Sequence, residues 1–169
     1  VEGWASDRGL VGGEMRVLDI ATGKVTSLAA GEQSSITSLA WRDEESLWFT
    51  GWSGLGTVYG VVRLDGAIAW STREDAMIGP TSFLAAISPA PDQQGFAAIR
   101  EAVGAPPEIV FKPSHESAWR QVTNLSAGLM AGFAGYPEVR AVQWRGKDGL
   151  EMEGLLLLPF FFVKQLPNP

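Results

Sequence analysis

Ile36-Thr37-Ser38-Leu39-Ala40-Trp41, Ser46-Leu47-Trp48-Phe49-Thr50, Thr57-Val58-Tyr59-Gly60-Val61-Val62-Arg63 and Ala67-Ile68-Ala69-Trp70 follow one another along the chain. Each run is short and rich in β-branched and aromatic residues. Turn formers separate them: Asp43-Glu44-Glu45, the glycine-rich residues 51–56, and Asp65-Gly66. That punctuation predicts four antiparallel strands joined by tight hairpins.

The unit repeats. Val17-Leu18-Asp19-Ile20 with Thr22-Gly23 matches Arg63-Leu64-Asp65-Gly66, a shift of 46 residues, and a second equal shift sets Leu64 on Val110. The pair Leu39-Ala40-Trp41-Arg42-Asp43 and Ser46-Leu47-Trp48-Phe49-Thr50 resembles Ala86-Ile87-Ser88-Pro89, Asp92 and Gly95-Phe96-Ala97-Ala98-Ile99, and Val142-Gln143-Trp144-Arg145 with Asp148-Gly149 begins a third copy. Four short strands every 40–50 residues is the pattern of a β-propeller blade. The expected fold is all-β: a partial β-propeller of about three WD40-like four-stranded blades. Blades bury their faces on one another, so three alone are expected to be unstable in isolation.

Composition agrees with an all-β reading. The 169 residues hold 46% hydrophobic and 19% charged side chains, with 20 glycines and 10 prolines, more punctuation than a helical bundle tolerates. A net charge of −6 without a basic stripe argues against a nucleic-acid partner, whose binding is driven by clustered Lys and Arg. There is no cysteine, hence no disulfide framework and no thiolate metal site. The longest apolar run, residues 155–163, is broken by Pro159 and is about half of the roughly 20 residues a spanning helix needs, so no membrane partner is expected. Val1-Glu2-Gly3-Trp4 lacks the charged and apolar regions of a signal peptide. The expectation is a cytoplasmic protein with further sequence before Val1.

Glu14-Met15-Arg16-Val17-Leu18-Asp19-Ile20-Ala21-Thr22-Gly23-Lys24-Val25 resembles the outer hairpin of the blades of prolyl oligopeptidase-family serine peptidases. Pro106-Pro107-Glu108-Ile109-Val110 and Trp119-Arg120-Gln121-Val122-Thr123-Asn124-Leu125 fit the same register as an inner strand and the strand closing it. More specific is Pro137-Glu138-Val139-Arg140 with Trp144-Arg145-Gly146-Lys147-Asp148-Gly149-Leu150-Glu151-Met152-Glu153-Gly154-Leu155-Leu156-Leu157-Leu158-Pro159, similar to the family's crossing from the last blade into the peptidase domain. The resemblance is to that family's acylaminoacyl-peptidase and dipeptidyl-peptidase-like members. The resemblance implies C-terminal propeller blades over residues 1–137 and a linker with the first strands of the peptidase domain over 138–159. Residues 160–169 depart from the pattern as an aberrant or truncated tail. Asp148-Gly149 is expected to turn a hairpin between residues 139–145 and 150–158. The α/β-hydrolase domain that would follow, with its Ser-Asp-His triad, is expected to lie beyond this chain.

Within the chain no complete catalytic set is legible. Gly51-Trp52-Ser53-Gly54-Leu55-Gly56 is the nearest imitation of a Gly-x-Ser-x-Gly elbow, but Leu55 stands where the second glycine belongs and the segment joins two strands. Gly54-Leu55-Gly56 lacks the third glycine and the helix of a dinucleotide loop, so no cofactor is expected. His115, the only histidine, lies in the polar stretch Lys112-Pro113-Ser114-His115-Glu116-Ser117 and reads as a solvated turn residue. With one histidine and no cysteine, a zinc site would rest on carboxylates alone, and no metal is expected. Asp43-Glu44-Glu45 and Arg73-Glu74-Asp75 read as solvated charged turns.

Trp41, Trp70, Trp119 and Trp144 recur at similar places and read as packing between blades. Trp52, read as part of a glycine-rich loop, is the one candidate substrate contact. Asn124-Leu125-Ser126 is a glycosylation sequon, meaningful only in a secreted protein.

The resemblance to prolyl oligopeptidase-family peptidases implies a role: the non-catalytic propeller of a serine peptidase that hydrolyses short peptides or acyl-amino-acid peptides, gating access for its short peptide substrates. Its partners in that role are the remaining blades and the hydrolase domain. The alternative is a non-enzymatic TolB-like or WD40-like propeller that binds a protein or peptide, since the blade signature is common to both.

Overall fold

The computed structural model describes residues 14–29, 34–131 and 135–158. The chain is all-β, built of several small antiparallel sheets, with one helical turn, α1 (Ala127–Met130). Strands β1 (Met15–Leu18) and β2 (Val25–Leu28) form a hairpin. Strands β3 (Ser35–Trp41), β4 (Ser46–Ser53), β5 (Gly56–Arg63) and β6 (Ile68–Glu74) form a four-stranded meander in sequence order.

A second sheet runs β11-β10-β9-β7, from β7 (Met77–Ile78), β9 (Phe96–Ala102), β10 (Ala105–Lys112) and β11 (Arg120–Gln121). The short β8 (Ser88–Pro89) lies beside β9 on the same edge as β7. Strands β12 (Glu138–Arg145) and β13 (Glu151–Leu158) make a final hairpin.

The first sheet matches the four strands expected from sequence, with one correction. Residues 51–53 do not belong to a loop: β4 continues through Trp52, paired with Ser35 and Thr57, and the turn shrinks to Gly54-Leu55. Gly51 and Gly56 mark close backbone approach instead. A Cβ on Gly51 would stand 2.8 Å from the Ile36 Cα, and one on Gly56 3.3 Å from the Asp75 Cα.

The second sheet departs from a plain four-stranded unit. Its first strand is split into β7 and β8, and Pro80, which brings no N–H to a ladder, lies in the segment between them. The sequence repeat is also stretched. Val61 and Val110, both in the core between the two sheets, are 49 residues apart, and residues 90–95 leading into β9 outnumber residues 42–45 leading into β4.

Strands β4 and β5 are buried on both faces, which explains their unbroken apolar runs. Leu47, Phe49, Val58 and Val62 point one way, onto Met15 and Leu28 of the first hairpin. Trp48, Tyr59 and Val61 point the other way, onto Ile78, Phe96, Ala98 and Val110 of the second sheet. The period of two in each strand therefore feeds two cores.

Gly60 lies opposite Phe49 in this ladder, and a Cβ there would collide with the Trp70 carbonyl oxygen and stand 2.9 Å from the Phe49 ring. Gly60→Ala is expected to destabilise by about 1–3 kcal/mol, the usual cost of overpacking. A urea midpoint equal to wild type would show that the ladder has room there.

Two hydroxyls, the buried Thr57 and the half-buried Thr37, clip the sheets together. Thr57 Oγ1 donates to the Ala76 carbonyl at 2.7 Å and accepts from the Ile78 N–H at 3.1 Å. Thr37 Oγ1 donates to the Ala85 carbonyl at 2.9 Å and accepts from the Ala85 N–H at 3.1 Å. Thr57 satisfies a donor and an acceptor at β7, and Thr37 satisfies both backbone groups of Ala85 in the segment between β7 and β8.

Candidate functional site

Glu74 closes β6 on the same side as Trp70 and Tyr59, since Tyr59 pairs with Thr72 and Glu74 is its diagonal neighbour. From there its carboxylate reaches the seam between the two sheets. It accepts hydrogen bonds from the Tyr59 hydroxyl, from Trp119 Nε1 at 2.7 Å and from Arg100 Nε at 3.2 Å, and Lys112 Nζ lies 3.6 Å away. The Lys112 ammonium also stands over the rings of Trp119 and Tyr59, at 5.1 Å and 5.7 Å. Both charges are withdrawn from water, with side-chain exposures of 16% for Glu74 and 9% for Lys112.

Burial raises the Glu74 pKa. The hydrogen bonds from Tyr59, Trp119 and Arg100 and the Lys112 charge outweigh it and hold the carboxyl below its usual range. Burial, then the Glu74 acceptor and its charge, push the Tyr59 phenol far above its usual range. Tyr59 thus remains a proton donor and Glu74 a carboxylate, a fixed pairing rather than an acid and base poised to exchange a proton.

Around this network Trp48, Tyr59, Trp70, Phe96 and Trp119 pack mostly edge-to-face or tilted, with ring centroids from 5.4 Å (Phe96 and Trp119) to 6.4 Å (Trp70 and Phe96). Edge-to-face contact sets positive ring edges on negative faces. His115 stacks on the outer side of this cluster, its ring 4.5 Å from Trp70 and 15° from parallel.

Glu108, on β10, organises a second polar cluster. Its carboxylate accepts from the Thr123 hydroxyl and from the backbone N–H groups of Leu125 (3.0 Å) and Ser126 (2.8 Å), tying down the approach to α1. These donors lower its pKa to about 2, the Thr123 hydroxyl first. A depressed carboxylate contributes stability above its unfolded pKa of about 4.3 and loses it as pH falls through the folded value. Wild type is therefore expected to lose stability between about pH 4.5 and pH 2 more steeply than Glu108→Gln. Urea midpoints taken along that range check this; parallel curves would mean that Glu108 carries no proton-linked stability.

The residues singled out from sequence fall as follows. Glu74, read as solvated, is the centre of the seam, whereas its neighbours Arg73 and Asp75 are exposed as expected, with an ion pair of 3.8 Å. His115, also read as solvated, packs one ring face on Trp70 while its side chain stays 42% exposed. Among the described residues no hydroxyl bonds to it; its polar neighbour is Glu116, at 3.8 Å.

Trp70 and Trp119 do pack between the sheets, but Trp41 and Trp144 do not share that role, being 59% and 48% exposed. Trp144 covers Gly154 across the last hairpin, its ring 3.2 Å from where a Cβ would be.

Trp52 lies in β4, half-buried, and its indole nitrogen is buried without a partner among the described residues. Only part of its ring is left to meet a ligand. Ser53 ends β4 opposite Gly56, on a strand-to-strand hairpin, which gives no elbow for a nucleophile. Asp43 accepts from the Ser46 hydroxyl (2.8 Å) and the Glu45 N–H (2.9 Å), which lower its pKa and tie it to its own turn. Asn124 is exposed. Residues 159–169, which include the aberrant tail, lie outside the described residues.

Sequence reasoning missed Tyr59, Arg100 and Lys112 as members of one network. The signal was present in the period of two, which sets Trp70 and Glu74 on one face of β6. Among the described residues, no helix is long and apolar enough to cross a membrane. Compared with known proteins, the chain matches no family model and no curated protein.

Proposed function

We propose that these sheets are blades of the non-catalytic β-propeller of a serine peptidase resembling the prolyl oligopeptidase family, and that they gate its active site to short peptides or acyl-amino-acid peptides. The observation that carries the reading is the order of parts. Two antiparallel sheets share a face, and the β12–β13 hairpin follows with Leu155, Leu156 and Leu157 exposed at 49%, 45% and 60%. Alternation sends Leu156 to one face and its two neighbours to the other, so this hairpin asks for apolar cover on both sides. A second domain built onto β13 would supply it.

In this role the seam is a spacer. The carboxylate of Glu74 fixes the angle between adjacent sheets by taking donors from β5, β9, β10 and Trp119. A rigid ring admits a flexible short peptide but requires a folded protein to unfold, at a cost of about 5–15 kcal/mol. No side chain of this chain is assigned a bond-breaking step.

The test uses the longer protein that the proposal implies. It is expected to cleave a short N-acylated peptide and to leave the same sequence untouched when displayed in a folded host. Glu74→Ala, which loosens the seam, is expected to narrow that difference. Equal cleavage of both substrates by the intact protein would refute gating. A longer protein that continues into further blades and binds peptides without cleaving them would instead support the TolB-like or WD40-like alternative.

A further inference from the structure

The β12–β13 hairpin has two long edges, and neither is paired with another strand among the described residues. The two larger sheets are blunted at theirs. The β3–β4 and β5–β6 ladders carry register shifts, and β7, β8 and β11 have two residues each. Strand β12, by contrast, runs eight residues without a bulge or an internal proline, the kind of edge that templates pairing with another chain.

The direction of its backbone groups follows from the turn. The Gly146 N–H donates to the Leu150 carbonyl at 2.8 Å, so that pair is hydrogen-bonded across the hairpin. Alternation then points the N–H and C=O groups of Trp144, Val142 and Arg140 at β13, and those of Arg145, Gln143, Ala141 and Val139 at the open edge.

We infer that this edge pairs with the same edge of a second copy of the chain, antiparallel, about a two-fold axis at Val142. A two-fold normal to the sheet keeps each side chain on its own face. Val142 then lies opposite its symmetry mate, Arg140 opposite Trp144, Ala141 opposite Gln143 and Val139 opposite Arg145. The last two pairs exchange the outward N–H and C=O groups in narrow hydrogen-bonded pairs. The first two are wide pairs, whose side chains approach more closely.

No two like charges stand opposite each other. Arg140, whose side chain is 57% exposed, comes opposite the half-exposed Trp144 twice, once on each side of the axis. Glu138, already bonded to Arg140 Nε at 2.6 Å, supports the guanidinium there. The β13 edge is a poorer match for itself. Its outward positions are Glu151, Glu153, Leu155 and Leu157, and an antiparallel copy centred on Gly154 sets each carboxylate against a leucine. Pairing through β12 also leaves β13 free for the domain proposed above, without depending on it.

The test uses two engineered cysteines, each unique because the chain has none. Val142→Cys sits opposite its own copy, at a separation that an oxidised pair can span, and is expected to give a disulfide-linked dimer on mild oxidation. Leu156→Cys, on β13, is expected to give no disulfide-linked dimer under the same conditions. In sedimentation velocity the wild type is expected to be a dimer. Gln143→Pro, which removes one outward N–H per copy and spares the β12–β13 ladder, is expected to be a monomer. A monomeric wild type, a Val142→Cys variant that does not cross-link, or cross-linking through Leu156→Cys would overturn the inference. If Gln143→Pro fails to fold, the two cysteine variants decide.

Discussion

Glu74→Ala is expected to lower the unfolding free energy by about 3–5 kcal/mol, the cost of breaking a buried ion pair by removing one partner. The substitution leaves Lys112 charged and 9% exposed with no carboxylate beside it, and strips the Tyr59 hydroxyl and Trp119 Nε1 of their acceptor. Arg73→Ala, one residue away on the solvent side, is expected to change stability by no more than about 0.5 kcal/mol. Urea denaturation followed by tryptophan fluorescence measures both. A loss below about 1 kcal/mol for Glu74→Ala, the range of an exposed pair, would show that the seam admits water and that its charges are solvated.

The second large effect is at Phe96. Its ring, on β9 of the second sheet, is fully buried and packs against Trp48, Tyr59 and Trp70 of the first sheet and Trp119 of the segment after β10. Phe96→Ala is expected to cost about 3–5 kcal/mol through lost contacts and the cavity left behind. Because the ring joins two sheets, its loss is expected to lower amide-exchange protection in β4 and β5 as much as in β9 and β10. Protection lost from β9 and β10 alone would mean that the sheets are separate folding units, each stable without the other.

The first sheet was legible because every element in it is decided locally. Apolar runs bounded by Asp43-Glu44-Glu45 and Asp65-Gly66 leave little choice of strand or turn, and the structure pairs them in that order. The error at residues 51–53 came from reading glycine as a turn former. Here Gly51 is a strand residue beside the Ile36 backbone, a tertiary cause that the local sequence does not carry.

The seam was misread for a related reason. Arg73-Glu74-Asp75 is a charge run by composition, yet Glu74 is buried by β9 and β10, which lie some 25–40 residues further on. Trp41 and Trp144 show the converse: a repeated aromatic position reads as core, but only Trp70 and Trp119 have a facing sheet. The Asp148-Gly149 hairpin was correct in sequence because its turn is chemically specified. Gly149 adopts φ +84°, which disfavours any side chain, and Asp148 accepts the Leu150 N–H at 3.1 Å.

The account rests on these sheets being the non-catalytic part of a serine peptidase. The most direct measurement is labelling by a fluorophosphonate probe, with turnover of acyl-amino-acid and dipeptidyl substrates, on the purified 169-residue chain beside a protein extended along its parent gene. The account predicts labelling and turnover in the extended protein alone. Labelling of the short chain, at Ser53 or at any other serine within it, would contradict it, as would an extended protein that neither labels nor turns over.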